Sequence, residues 1–507
     1  MTASGRPQAW DLVTHDDASP TAPAVYVGST VLSYAELAAL VGTAERALRH
    51  DGKALVLCAG DRDLPTVLAY LAALRLGHTV AFLPATPEML RAYEPEFVVP
   101  APGCRIEPAP DDLAGLGYRP VTSPIAGARI LRRERTGPGE RSSAGQIFPG
   151  TALLLATSGS TGSPKTVRLS YSGLAGNTAA VVRALGITAA ERALTTLPIT
   201  HAYGLSVLNS HLLAGASVVL GDGSPLAAAT WDRLIRSGAT SFAAVPVTYA
   251  AFGPAHRDLL DRSRIRTMTQ AGGRLADPLT TQLVDVMHRR AGRFFVMYGQ
   301  TEASSRITCL DPADLPGRLG SVGPAVPGGT LTIRPAPVRA RAVPGEGAVH
   351  YQGPGVMLGY ARGRADLARG AEVDVLDTGD LGYLREGYLY LTGRAKRIVK
   401  LLGVRTSLDD LERTVDRPGH PIAVVCDTAE VLHLIGAGDP AVHEQQRRAL
   451  AEALGVPDRH VVLRQVGALP RTPGGKVDYP LLAAAVDPDR VAATATATDR
   501  GRLTPCG

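Results

Sequence analysis

Apolar, β-rich runs alternate with stretches of helical period as far as residue 299. The runs are ALVLCAG at 54–60, TVAFLP at 79–84, TALLLATS at 151–158, ASVVLGD at 216–222, TSFAAVPV at 240–247 and RFFVMYG at 293–299. This strand–helix alternation predicts an α/β fold with largely parallel sheets and flanking helices in a large N-terminal part. Ahead of these runs, 24–48 reads as a short hairpin (AVYVGSTVL) leading into a helix that opens with a capping box, Ser33 and Glu36. Residues 131–150 read as a surface loop rich in Gly, Arg and Ser. From about 316 to 391 the pattern becomes short strands punctuated by Gly and Pro, as expected of a small barrel or an antiparallel sheet. A hairpin and charged connector at 382–400 then lead into a compact α+β unit ending near 486. The expected organisation is an N-terminal domain over 1–394, a C-terminal domain over 395–486 and a low-complexity, disordered tail over 487–507.

Composition narrows the class. The chain has 507 residues, 45% hydrophobic and 20% charged, which suits a globular protein of more than one domain. The longest apolar candidate for a membrane span, 66–84, is interrupted by Arg75 and His78, so no span is expected. The first residues lack a basic segment followed by an apolar stretch, and no signal peptide is expected. Cys58, Cys104, Cys309, Cys426 and Cys506 are few, odd in number and widely spaced, which favours a reducing cytoplasm over a disulfide framework or zinc site. Net charge is +6, but the basic residues are scattered, so nucleic acid is not an expected partner. A mild positive bias instead suits an anionic small molecule. Only Lys53, Lys165, Lys396, Lys400 and Lys476 among the 53 basic residues are lysines, leaving 48 arginines. Each lysine is therefore a candidate for a role that needs a compact, mobile ammonium.

The strongest local signal is Thr157-Ser158-Gly159-Ser160-Thr161-Gly162-Ser163-Pro164-Lys165, directly after an apolar run. Small hydroxyl residues and glycines let backbone N–H groups converge on phosphate oxygens, and the lysine adds charge. A P-loop would need its second glycine at Pro164, which has no N–H to donate.

This segment resembles the phosphate loop of the adenylate-forming superfamily: acyl-CoA synthetases, nonribosomal peptide adenylation domains and luciferases. Four further matches follow in family order. Tyr298-Gly299-Gln300-Thr301-Glu302 resembles Y-G-x-T-E, and Thr378-Gly379-Asp380 resembles T-G-D. Gly393-Arg394 through Lys400 and on from Gly403 to Glu412 resembles the hinge region, and Pro470 through Lys476 the C-terminal P-x-x-x-x-G-K. Together they cover roughly residues 24–486, and four of the five lysines fall inside them.

The resemblance implies in-line attack of a carboxylate on the α-phosphate of ATP, a reaction served by positioning and charge neutralisation. Glu302 would ligate Mg²⁺ and Thr301 hold a phosphate oxygen. Tyr298 would stack on adenine, with Gly272 and Gly273 allowing close backbone approach to its edge and Gly299 belonging to the same motif. Asp380 suits the ribose hydroxyls, and Arg394 ribose or phosphate. Lys476 would bridge the attacking carboxylate and the α-phosphate. Family enzymes then rotate the small C-terminal domain. That puts the pivot at Lys396, with Lys400 and Gly403 facing the acyl-adenylate and the incoming pantetheine.

Pro198-Ile199-Thr200-His201-Ala202-Tyr203-Gly204-Leu205 resembles the acyl-pocket stretch of acyl- and aryl-CoA synthetases. His201 either gates the pocket, contacts the carboxylate or is a core histidine. No acidic residue occurs from 198 to 210, which disfavours an α-amino acid. The other expected wall, Phe242 to Pro246 with Val245, is small and apolar and suits a flat ring or a modest acyl chain. Two positions depart from the family: Thr166 stands for the usual glycine after Pro-Lys, and Arg274 follows the Gly-Gly. Arg274 either holds a polar or anionic substituent or faces water. The expected function is ATP- and Mg²⁺-dependent activation of an aryl or modest acyl carboxylic acid as acyl-AMP. The acyl group then passes to a thiol, of free coenzyme A or of carrier-protein phosphopantetheine. The alternatives are another nucleophile, as in an amide ligase, and nitrite activation to diazotise an aryl amine.

Overall fold

The computed structural model describes residues 9–100, 115–121, 130–134, 146–156, 165–336, 343–401, 404–454, 456–472 and 475–487. The chain packs as two compact units, one of Met1–Leu331 with Tyr351–Leu376 and one of Thr332–His350 with Asp377–Gly507.

The first unit contains two eight-stranded sheets. One runs in the order Thr308–Leu310, Arg293–Tyr298, Thr267–Gln270, Ser241–Ala244, Arg192–Leu194, Ser217–Leu220, Pro23–Val27, Thr30–Ser33. Its inner strands, from Arg293–Tyr298 to Pro23–Val27, are parallel, and the two edge strands are antiparallel. The other sheet has a parallel centre, Thr151–Ala156, Thr79–Phe82, Leu55–Cys58 and Phe97–Val99, flanked by antiparallel strands. All six apolar runs are strands. Strands such as Leu55–Cys58 and Ser217–Leu220 are buried at every position, because helices cover both faces of a parallel sheet.

The apolar run 66–84 divides into the helix Leu64–Arg75 and the strand Thr79–Phe82. Asp63 caps that helix by accepting the Thr66 N–H at 2.8 Å, and residues 66–74 are buried around its whole circumference. The helix Tyr34–Ala47 opens with the expected capping box, Ser33 to Glu36. Within 131–150, Ile130–Arg133 forms an edge strand beside Phe97–Val99 and Tyr118–Val121, while 135–145 lies outside the described residues.

In the second unit the Gly/Pro-punctuated region holds a four-stranded sheet in the order Thr330–Arg334, Gly347–Gln352, Leu376–Arg385, Tyr388–Arg394. After it come the hairpin Ile398–Leu401/Val404–Ser407 and a three-stranded sheet of Ile422–Cys426, Leu432–Ala437 and Val461–Val466. The helices Leu408–Val415 and Pro440–Leu454 contribute Leu411, Val415 and Leu450 to its core. Asp487, the first residue of the expected tail, is buried and accepts the Thr428 N–H at 2.7 Å; 488–507 lies outside the described residues.

Candidate active site

Four neighbouring parallel strands of the first sheet deliver their carboxyl ends to the same edge. Arg192–Leu194 leads into His201, Tyr203 and Gly204; Ser241–Ala244 into Val245; Thr267–Gln270 into Gly272, Gly273 and Arg274; Arg293–Tyr298 into Gly299, Thr301 and Glu302. In open α/β sheets this edge is where ligands bind, since loops there can present side chains and backbone N–H groups to one crevice.

Backbone contacts set the glycines. A Cβ on Gly299 would stand 1.8 Å from the Ser305 carbonyl oxygen, and one on Gly204 would stand 2.1 Å from the Pro198 carbonyl oxygen. Gly272 has φ +91°, a left-handed conformation that favours glycine, and the Gln270 side-chain amide donates to the Gly273 carbonyl at 2.7 Å. Ser304 and Ser305, with φ +52° and +105°, are consecutive non-glycine residues in that region, so the turn after Glu302 carries backbone strain.

Thr301 and Glu302 lie in the 3₁₀ turn Thr301–Ala303. Tyr360, on the edge strand Gly359–Ala361, donates its hydroxyl to Glu302 Oε1 at 2.9 Å. The Lys165 ammonium stands 3.3 Å above the centre of the same ring. Burial and the neighbouring carboxylate raise the Tyr360 pKa, so the phenol remains a donor. Thr157, Ser158, Gly159, Ser160, Thr161 and Gly162 lie outside the described residues. Thr166 fits its strand as a buried residue, its hydroxyl 2.9 Å from the Tyr93 hydroxyl.

His201 occupies the N-cap position of the helix Ala202–Leu213, with Nδ1 3.2 Å from the Thr200 hydroxyl. Burial lowers its pKa, against the opposing pull of Asp61, so the imidazole is neutral at pH 7. The Tyr203 hydroxyl donates to the Thr269 carbonyl at 2.9 Å, and burial pushes its pKa up to about 12. Arg274 is half exposed, its Nη2 3.5 Å from Asp277 Oδ2. Among the described residues no three His, Cys, Asp or Glu side chains converge as a metal cage. A divalent ion at Glu302 would complete its shell with nucleotide phosphates and water, which suits Mg²⁺.

In the second unit Asp380 and Arg394 are cross-strand partners, and Arg394 Nε donates to Asp380 Oδ1 at 3.0 Å. The Arg394 N–H donates to Asp409 Oδ2 at 2.9 Å, while Arg397 donates to Asp409 and to Glu412, the latter at 2.7 Å. Lys396 lies between them in the turn Ala395–Arg397, and Lys400 in the strand Ile398–Leu401; Gly403 lies outside the described residues. Lys476 is exposed on a turn closed by the Thr472 N–H donating to the Lys476 carbonyl at 2.8 Å.

A sequence profile described as AMP-binding enzyme matches residues 13–361. The chain belongs to the AMP-binding enzymes. Within that family it is of the acyl- and aryl-CoA synthetase type, acid–thiol ligases of the adenylate-forming superfamily. It is 31% identical to indoleacetate–CoA ligase of Aromatoleum aromaticum over 76% of this chain and 78% of that one. It is 29% identical to feruloyl-CoA synthase of an Amycolatopsis species over 86% and 87%. Its fold is that of ATP-bound MatB from Rhodopseudomonas palustris, with a TM-score of 0.71 at 21% identity, covering 94% of this chain and 98% of that one. No helix among the described residues is long and apolar enough to cross a membrane.

Two residues of this AMP-binding enzyme stand at the candidate site without having been singled out in the sequence. Tyr360 had no motif around it that pointed to Glu302. Arg306 lies four residues after Glu302 with its guanidinium 4.1 Å over the Tyr203 ring, and it was one arginine among 48.

Proposed function

We propose that this AMP-binding enzyme joins a carboxylic acid other than an α-amino acid to ATP as acyl-AMP and then passes the acyl group to the thiol of coenzyme A. The observation that carries this reading is the convergence of His201, Tyr203, Val245, Gly272, Gly273, Tyr298 and Glu302 at the carboxyl ends of adjacent parallel strands. Relatives named as CoA ligases support the thiol step. Carrier-protein phosphopantetheine presents the same thiol and is the second acceptor.

In the first step an acid carboxylate oxygen forms a bond to the α-phosphorus, and the bond from that phosphorus to the β-phosphate bridging oxygen breaks, releasing pyrophosphate. Lys165 and residues 157–162 hold the phosphates, with Thr301 taking one phosphate oxygen. Glu302 would hold Mg²⁺, which would supply neutralisation of phosphate charge. Tyr298 stacks on adenine, the Gly272-Gly273 backbone approaches the adenine edge, and Asp380 accepts from the ribose hydroxyls with Arg394 beside it. Lys476 offsets the charge that builds between the carboxylate and the α-phosphate. In the second step the thiol sulfur attacks the acyl carbon and AMP leaves. Lys400 serves this step after the chain turns at Lys396, the pivot between domains 1–394 and 395–486. Tyr203, Gly204 and Val245 form pocket walls, and His201, neutral at pH 7, gates the pocket. The test is a panel of acids with ATP, Mg²⁺ and CoA, followed by pyrophosphate release and thioester mass. AMP release without thioester would replace the thiol with another nucleophile.

A further inference from the structure

The turn Thr301–Ala303 that carries Glu302 is fastened to one short segment, 355–360. The Ser304 hydroxyl donates to the Gly355 carbonyl, the Met357 N–H to the Glu302 carbonyl and the Tyr360 hydroxyl to Glu302 Oε1, each at 2.9 Å. That segment is fastened in turn to the strand Thr166–Ser170, which begins one residue after Lys165. The Leu358 N–H donates to the Arg168 carbonyl at 2.8 Å, and Gly359, Tyr360 and Ala361 pair with Arg168, Val167 and Thr166. The strand Gly359–Ala361 has three residues and stands at the end of its sheet, so the ladder alone holds it weakly.

A buried side chain supplies the missing grip. The Arg168 side chain is fully buried and passes so close to Gly359 that a Cβ there would stand 2.7 Å from its Nη2 and closer still to Glu372 Oε2. Nη2 donates to Glu372 Oε2, and Nη1 donates to the Arg369 carbonyl and, at 3.3 Å, to the Gly370 carbonyl. Glu372 accepts from Arg369 Nη1 as well, at 3.0 Å, and its own N–H donates to the Leu358 carbonyl at 2.7 Å. Leu358 is thus held at both of its backbone groups, by Arg168 and by Glu372. Removing the carboxylate would leave a buried cation uncompensated and the strand free to shift. Among the described residues neither side chain bonds to Glu302, so the pair reaches the chemistry only through the strand that carries Tyr360.

We propose that Arg168 and Glu372 are positioning residues for the metal: their ion pair fixes the strand Gly359–Ala361 and, through Tyr360, fixes the Glu302 carboxylate and the Lys165 ammonium relative to one another. The proposal deepens the adenylation reading and rests on it for the placement of Mg²⁺ at Glu302. Mg²⁺ demands near-ideal octahedral geometry and short bonds, whereas Ca²⁺ accepts flexible coordination at longer ones. A carboxylate held rigid by this pair therefore favours Mg²⁺, and loosening it costs Mg²⁺ more than Ca²⁺.

The test is calorimetry on the full chain, measuring affinity for an α,β-methylene analogue of ATP in Mg²⁺, in Ca²⁺ and in EDTA. Removing a group that orients a metal ligand costs about 10- to 100-fold in metal affinity, and this pair acts one step further out, so Glu372→Gln should weaken binding roughly fivefold or more in Mg²⁺. In Ca²⁺ and in EDTA it should stay within about twofold of wild type. Arg168→Lys keeps the charge and loses the fork, and should show the same pattern at roughly threefold or more. In a Tyr360→Phe background Glu372→Gln should cost almost nothing further, because the link it acts through is already cut. Equal losses under all three conditions would mark a merely structural pair and overturn the proposal. Wild-type affinity in Mg²⁺, or a full additional loss in the Tyr360→Phe background, would overturn it as well. If Glu372→Gln does not fold, Arg168→Lys and its double variant with Tyr360→Phe decide by the same criteria. Pyrophosphate release by the wild type across the acid panel is scored separately. Its absence with every acid would overturn the adenylation reading; its presence beside unchanged metal dependence in Glu372→Gln would overturn the positioning role alone.

Discussion

The Tyr360 hydroxyl donates to Glu302 Oε1 at 2.9 Å while the face of its ring carries the Lys165 ammonium. One neutral side chain thus holds the proposed metal carboxylate and the cation that ends the phosphate loop. Tyr360→Phe keeps the ring and removes only the hydrogen bond. Hydrogen bonds to charged groups contribute about 1.5–3 kcal/mol, so kcat/KM for adenylation should fall roughly 10- to 100-fold, with a raised Mg²⁺ requirement. A pyrophosphate-release assay across a Mg²⁺ titration checks this; a wild-type curve for the variant would remove Tyr360 from the mechanism. Glu302→Gln should lose at least as much.

Lys476 is proposed for the first half-reaction and Lys400 for the second. Lys476→Ala should lower adenylation by about 100-fold or more, the scale of a lost oxyanion donor. Its rate of thioester formation from synthetic acyl-AMP should stay within a few-fold of wild type. Lys400→Ala should show the reverse split. Equal losses in both half-reactions for either variant would end this division of labour.

Gly299→Ala places a methyl 1.8 Å from the Ser305 carbonyl oxygen, and because the obstacle is backbone no side-chain rotation relieves it. The loop carrying Thr301 and Glu302 must shift. Forcing extra volume into packed structure costs about 1–3 kcal/mol. Thermal unfolding should show a lowered Tm, and adenylation should drop more than tenfold in protein that remains folded.

Two buried histidines give stability a pH slope. Burial lowers the pKa of His78 and of His211 from 6.5 to about 4. The unfolded chain takes up protons below pH 6.5 while the folded chain refuses them until about pH 4. The stability these neutral rings allow is complete above pH 6.5 and is lost as pH falls toward 4. His211 Nδ1 faces the Val207 carbonyl at 2.8 Å and its Nε2 the Ser241 hydroxyl at 3.1 Å, a pairing that a neutral ring with the proton on Nδ1 satisfies. Chemical denaturation at pH 7, 6 and 5 should show this decline, and His211→Gln should flatten part of it. An unchanged slope would refute the assignment.

Much of the α/β frame was legible because parallel strands, covered on both faces, print continuous apolar runs; Leu55–Cys58 and Thr79–Phe82 are cases. The three-residue edge strand Gly359–Ala361 was not, since a short edge needs no apolar run and its pairing with Thr166–Ser170 is set by distant sequence. For the same reason Tyr360 went unnoticed: its partner is 58 residues away. Scarcity of lysine singled out Lys165, which lies over the ring of Tyr360, the partner of Glu302. It singled out Lys53 equally, which lies outside the motifs and donates to the Gly77 carbonyl at 2.7 Å just past the helix Leu64–Arg75. Abundance of arginine hid Arg306, whose distinction, a guanidinium 4.1 Å over the Tyr203 ring, is a property of three-dimensional surroundings.

The helix Ala202–Leu213 starts with Gly204 pressed against the Pro198 carbonyl, where no larger residue fits. Its opening turn is therefore locked to the preceding loop, and the scaffold leaves little slack for reshaping itself around a new acid. Descendants of this protein could retune their substrate by exchanging the side chains at 203, 206 or 207, while the spine that displays them stays as inherited.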